Sequence, residues 1–192
     1  MTSYLSNARY LVRNTPRHTE MARRRSQELG RPALAAHFAH KLVEETGHDR
    51  WADADLAQMS DLFGSRASER PTAALVELMG YLDQAIQEEP AGYLAYALHA
   101  EYFTVLIGPE WVRMLDERCG VPRTAMTVVT KHVTLDQDHV LEGAREIDAL
   151  VTDPALLPVL QRVLSRAMSY LESFYDQIYE QTQEASELRN VS

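Results

Sequence analysis

Residues 130–143 read TKHVTLDQDHVLEG, and the fold follows from what His132, Asp136 and His139 require. An α-helix turns about 100° per residue, so the i, i+4, i+7 spacing places these three side chains within an arc of about 60° on one face. Asp138, in the same run, points elsewhere. Val128, Val129, Leu135, Val140 and Ile147 flank the triplet on that face, which marks it as the buried stripe of an amphipathic helix. Ionisable groups on a core face are costly to desolvate unless something pairs with them. A bound cation meets that need.

Two other stretches repeat the anomaly. In HFAHKLVEETGHDRW, residues 37–51, Glu45 and His48 stand at i, i+3, the ExxH spacing that lets one helix present a carboxylate and an imidazole to one metal. Glu44 also lies within about 60° of His48, so geometry alone does not choose between the two glutamates. In GYLAYALHAEYFTVL, residues 92–106, Glu101 is a lone carboxylate on the face of Leu94, Ala97, Leu98 and Val105. Together the three stretches offer Glu45, His48, Glu101, His132, Asp136 and His139. This mixed oxygen and nitrogen set suits iron or manganese and is too rich in carboxylates for a structural zinc. Six ligands are about what two metals need when one carboxylate, here Glu101, bridges them.

EETGHDRW followed by DADL, then AYALHAEY, then HVTLDQDH resembles the heme-oxygenase-like diiron oxidases, and the resemblance spans residues 32–150. HxxxDxxH is its most specific part. It implies an all-α, heme-oxygenase-like bundle of about seven to eight helices that binds two Fe(II) per chain, the second one labile because its triplet rides on a helix that can shift. It also implies Glu45 rather than Glu44 as the ligand. Glu44, His40 and His37 then serve as outer partners of the ligands, since metal-bound imidazoles need them. Such relatives activate dioxygen to oxygenate amines, decarboxylate or desaturate fatty acids, or cleave amino-acid carbon chains. The i, i+3 spacing resembles the subset acting on lipid-like or small carboxylate substrates. Dioxygen, a small molecule and an external electron donor are the partners so implied.

Hydrophobic content of 45% with 24% charged residues is ordinary for a soluble globular protein. A chain of 192 residues is most simply a single domain, 1–192, with 1–15 a segment that could be flexible. Lys and Arg number 19 against 28 Asp and Glu, a net charge of −9 that argues against nucleic acid or an anionic membrane as partner. No apolar run reaches the roughly 18 to 20 residues of a membrane span, and the start lacks a signal peptide's apolar region. A cytoplasmic setting follows, and the single Cys119 agrees with it.

Proline and glycine punctuation predicts helices at 17–29, 32–47, 52–63, 71–88, 91–107, 110–119, 122–151 and 154–187. Gly47, costing ~1 kcal/mol in a helix interior, predicts a local break or a close approach. The Arg23, Arg24, Arg25 run reads as a solvated face, His99 as turned away from Glu101, and the tyrosines of 154–187 as packing residues, with large helical faces favouring a homodimer. His18 is the one residue placed to serve as an axial heme ligand, but heme would leave the three clusters unexplained. The rival readings are a TenA-like enzyme, a cofactor-free oxidase of the same fold, and a non-catalytic helical metal-binding protein. The first wants a cysteine nucleophile, and Cys119 stands outside all three stretches.

Overall fold

The computed structural model describes residues 1–64 and 70–190, and no strand occurs among them. Seven α-helices follow in order: α1 (Thr2–Glu28), α2 (Pro32–Glu45), α3 (Asp49–Phe63), α4 (Ala73–Glu88), α5 (Gly92–Cys119), α6 (Thr127–Leu150) and α7 (Leu157–Asn190). Single 3-10 turns, Arg123–Ala125 and Pro154–Leu156, lead into α6 and α7. Helix α5 packs along α6 and α7, α1 against α2, α3 and α4, and α3 against α6. No helix among the described residues is long and apolar enough to cross a membrane.

Two of the predicted boundaries fail for one physical reason, the override of local breaker signals by packing. The helix expected to begin after Pro16 begins at Thr2, so residues 2–15, set apart as a terminal segment in the sequence, belong to α1. A proline inside a helix costs ~3 kcal/mol. Full burial of Leu5 returns about 1.5–3 kcal/mol of that, and buried Asn7 adds a hydrogen bond accepted from the Thr72 N–H at 2.8 Å. Likewise 91–107 and 110–119 are one helix, α5, running through Gly108 and Pro109. Gly108 serves contact rather than termination, because a Cβ there would come 2.4 Å from Cγ2 of Val133 on α6.

The apolar residues form two clusters. One gathers Leu34, Phe38, Leu75, Leu78, Leu82, Ile86, Leu94 and Val163 from α2, α4, α5 and α7. The other gathers Leu5, Leu56, Met59, Val112, Met126, Val128 and Val129 from α1, α3, α5 and the start of α6. Along α5, Glu101 falls between Leu94 of the first cluster and Val112 of the second. Leu135, expected on the buried stripe of α6, is exposed. It lies about 60° from His132, at the stripe's edge.

Candidate metal centre

Glu45 and His48 do not share one helix, as their spacing suggested. Glu45 closes α2, Thr46 is extended, and Gly47 takes φ +94°, a conformation that side chains with a Cβ rarely adopt. His48 then caps the start of α3. The break turns the two side chains toward each other, with His48 Nδ1 3.3 Å from Glu45 Oε2. His132 arrives from α6 with its ring edge-on to His48, centroids 4.9 Å apart. Its Nδ1 lies 2.6 Å from the Val128 carbonyl oxygen, which can only accept, so Nδ1 carries the proton and Nε2 keeps its lone pair. Trp51 stacks on His48 at 4.1 Å and meets the His132 ring edge at 5.4 Å.

A residue not singled out in the sequence sets this register. Asp55 on α3 is fully buried and accepts the N–H groups of Thr127 and Val128 at 2.8 and 2.7 Å. Those are unpaired donors at the N-terminus of α6, where the helix dipole also favours a carboxylate. Asp55 thus ties the start of α6 to the helix that His48 opens. Its signal in the sequence was an acid inside the apolar stripe of Ala52, Leu56 and Met59.

The six sequence-predicted residues come together as two triads. Glu45, His48 and His132 each present a ligand atom within 4.8 Å of the others, and so do Glu101, Asp136 and His139. In the second triad His139 Nδ1 lies 3.5 Å from Asp136 Oδ1 and 3.9 Å from Glu101 Oε1. Glu44 stands behind it, with Oε1 3.7 Å from His139 Nε2 and 3.1 Å from His40 Nε2. Lys41, given no role from sequence, spans the carboxylates, 3.1 Å from Glu44 Oε2 and 3.3 Å from Glu101 Oε1. His37 Nδ1 lies 2.7 Å from Glu146 Oε2, about two turns along α2 from Glu45.

Electrostatics show what this cluster needs. Burial, with the charges of Glu101 and Glu45 added, pushes Asp136 up to about 8, and the residue is 2% exposed. Burial also raises Glu101, against the pull of Lys41 and His139. It works upward on Glu45 too, but His48, His132 and Lys41 outweigh it and hold that carboxyl below the usual range. His132 is lowered by burial. For Lys41 burial works downward and is overcome by Glu101 and Glu44, so the ammonium is held above its ordinary value.

Close as the two imidazoles are to carboxylates and Glu44 to the Lys41 ammonium, His48 Nδ1, His139 Nδ1 and Glu44 Oε2 are buried without the geometry of a hydrogen bond. Four carboxylates are thus gathered with one ammonium and buried, under-bonded imidazole nitrogens. A divalent cation in either triad would supply the missing positive charge and take up those lone pairs, so the residues fit a metal.

The other flagged residues are elsewhere. His18 is buried against Tyr93, 2.9 Å from Asp83 Oδ1, and held down to about 4 by burial and by Arg17. It serves the packing of α1 and α4. Arg23 and Arg24 pair with Glu20, and Arg25 with Glu28. Cys119 is exposed at the end of α5. A cleft of about 350 Å³ between α2 and α6 is lined by Ala33, Ala36, His37, His40, Glu146 and Leu150, and stops short of the triads.

No family model and no curated protein matches the sequence. The structure is similar to a crystal structure from Shewanella denitrificans OS217, described as a domain of unknown function with a heme oxygenase-like fold. The TM-score is 0.81 at 17% identity, over 94% of this chain and 77% of that one. The chain therefore has the all-α, heme oxygenase-like fold expected from its sequence.

Proposed function

We propose that this protein is a non-heme diiron oxidase or oxygenase, using dioxygen to oxidise a small molecule. The observation that carries the reading is the division of six residues, drawn from three distant stretches, into two adjacent triads of mixed carboxylate and imidazole. Glu45, His48 and His132 would hold one Fe(II), and Glu101, Asp136 and His139 the other; Mn(II) suits the same donors. Three protein ligands per metal leave coordination positions open, and bound ferrous iron would supply the electrons that activate dioxygen.

The chain's own residues hold and shield the site. Asp55 fixes the start of α6, and the Val128 carbonyl orients His132. Glu44 backs His139, and Leu98 closes against Gly143 beside Glu101, helping to exclude water. The substrate, a lipid-like or small carboxylate compound, would bind between the helices that carry Glu45, Glu101 and His132. An external electron donor is needed for any reaction in which the substrate yields fewer electrons than dioxygen takes. Cofactor-free chemistry would not need these acids buried among histidines, and TenA-like chemistry is disfavoured by the position of Cys119 on the surface.

Anaerobic titration of the metal-free protein with ferrous iron, followed by dioxygen, tests the proposal. Two irons per chain and a transient visible absorption are expected. His132→Ala and Asp136→Ala should each take up one iron fewer. No uptake, or unchanged iron content and oxygen consumption in both variants, would sink it.

A further inference from the structure

We infer that Lys41 is a built-in counter-cation of the second triad, competing with metal for Glu101, so that the two triads fill in order. Glu45, His48 and His132 fill first, and Glu101, Asp136 and His139 only as the ammonium gives way. This rests on the two-metal reading above.

The geometry places the competition on one atom. Lys41 Nζ lies 3.3 Å from Glu101 Oε1, and that same oxygen is the one 3.9 Å from His139 Nδ1. A cation joining Glu101 to His139 must therefore share or take the oxygen that the ammonium holds. Two positive charges on one half-buried carboxylate oxygen repel each other more than they would in open water, because the surroundings screen less. Among the described residues no ammonium is in ion-pair contact with a ligand of the first triad, and Lys41 reaches Glu45 only as a more distant charge. The close ion-pair partner of Glu45 is His48, itself a member of that triad. Lys131, the neighbouring lysine, lies 4.5 Å over the Trp51 ring instead of on a carboxylate.

The device also has a way to open. Lys41 is held by two acids, and its contact to Glu44 Oε2 at 3.1 Å remains when Glu101 is surrendered. The half-buried ammonium thus keeps one ion-pair partner, which lowers the barrier to displacing it. Residue type fits as well. The chain carries seventeen arginines and only two lysines, Lys41 and Lys131. An ammonium is a compact point charge on a flexible stem and can release one carboxylate while keeping another. A guanidinium in the same place would lock both in its fork.

Calorimetric titration of the metal-free full chain with Zn(II) reads the two sites separately, with His139→Ala marking the second equivalent. The wild type should bind a second equivalent at least about tenfold more weakly than the first. Lys41→Met should tighten that second equivalent by about tenfold or more and change the first by much less. Lys41→Arg, which keeps the charge, should retain the gap. A gap that persists or widens in Lys41→Met overturns the proposal.

A second measurement uses the wild type alone, so it does not depend on a variant folding. With 13C-lysine the protein gives two side-chain signals, and that of Lys41 should move with the second equivalent of Zn(II). Movement with the first equivalent, or none, overturns the inference. Absence of any Zn(II) or Fe(II) uptake by the wild type overturns the two-metal reading itself, a distinguishable failure.

Discussion

Glu45, His48 and His132 are assembled across a break in the chain, whereas Glu101, Asp136 and His139 face one another from the middles of two long helices. The first triad is shaped by backbone: the positive φ of Gly47, the carbonyl of Val128 on His132, and the Asp55 carboxylate on the start of α6. The second is shaped by charge: Lys41 and Glu44 flank it, and Asp136 is pushed far above an ordinary carboxyl. Backbone shaping gives a site that exists before its ligand arrives. Charge shaping gives one whose protons and ammonium must be displaced when a metal enters, a physical reason for one site to be firm and the other labile.

The largest test of this contrast is the pH dependence of stability. Asp136 has a folded pKa of about 8 against an unfolded value of 3.8. The folded metal-free protein therefore binds the extra proton, and stability from this group is full below the unfolded value and lost as pH rises through 8. His18 has the opposite sign, with a folded pKa of about 4 against 6.5 unfolded, so its cost appears as pH falls from 6.5 toward 4. Above pH 6.5 the His18 contribution is flat. Chemical denaturation of the metal-free protein should show stability falling between about pH 6.5 and 8. Asp136→Asn should remove most of that slope, whereas His48→Gln, in the backbone-shaped triad, should keep it. Equal slopes in wild type and Asp136→Asn would mean that the second triad is not charge-strained.

The next test acts on packing. At Gly108 a Cβ would lie 2.4 Å from Val133 Cγ2, the end of a short β-branched side chain with little room to turn away. Gly108→Ala gains ~1 kcal/mol of helix propensity, but the clash forces α5 from α6 at a cost of about 1–3 kcal/mol. Net stability should be unchanged or fall. The informative readout is metal binding. Glu101 on α5 moves away from Asp136 and His139 on α6, so the second equivalent should weaken. The first triad, with no member on α5, should bind as before. Equal weakening of both equivalents would show that the triads are mechanically one unit.

Much of this was legible in the sequence. His132, Asp136 and His139 were readable because helical periodicity is strict and three ionisable groups on an apolar face are rare. Glu101 was readable for the same reason. Glu44 and Glu45 were not separable, since both project toward His48 on an ideal helix, although Gly47 did signal the break that follows them. Lys41 was invisible because a lysine one turn from two glutamates looks like a surface ion pair, and only the approach of α5 buries it. Asp55 was hidden by distance, 72 residues from the Thr127 N–H that it caps. The Pro16 and Pro109 boundaries were misread because breaker residues report local cost, and each cost was met by packing far away in sequence.

The smallest expected effect sharpens the comparison from the other side. Trp51 stacks on His48 with an interplanar angle of 22°, so it supports the first triad and should also report on it. The other tryptophan, Trp111, packs edge-on to Tyr4 at 4.4 Å, away from both triads. Co(II) titration should therefore quench the fluorescence of Trp51 mostly with the first equivalent, and Trp51→Phe should leave little response. Trp51→Leu should weaken that equivalent by only a few-fold, because an aromatic contact of this kind contributes about 0.5–1.5 kcal/mol. Quenching that follows the second equivalent would reverse the order of filling: the firm site would then be the one carrying Lys41, and backbone shaping would not be what makes a site firm.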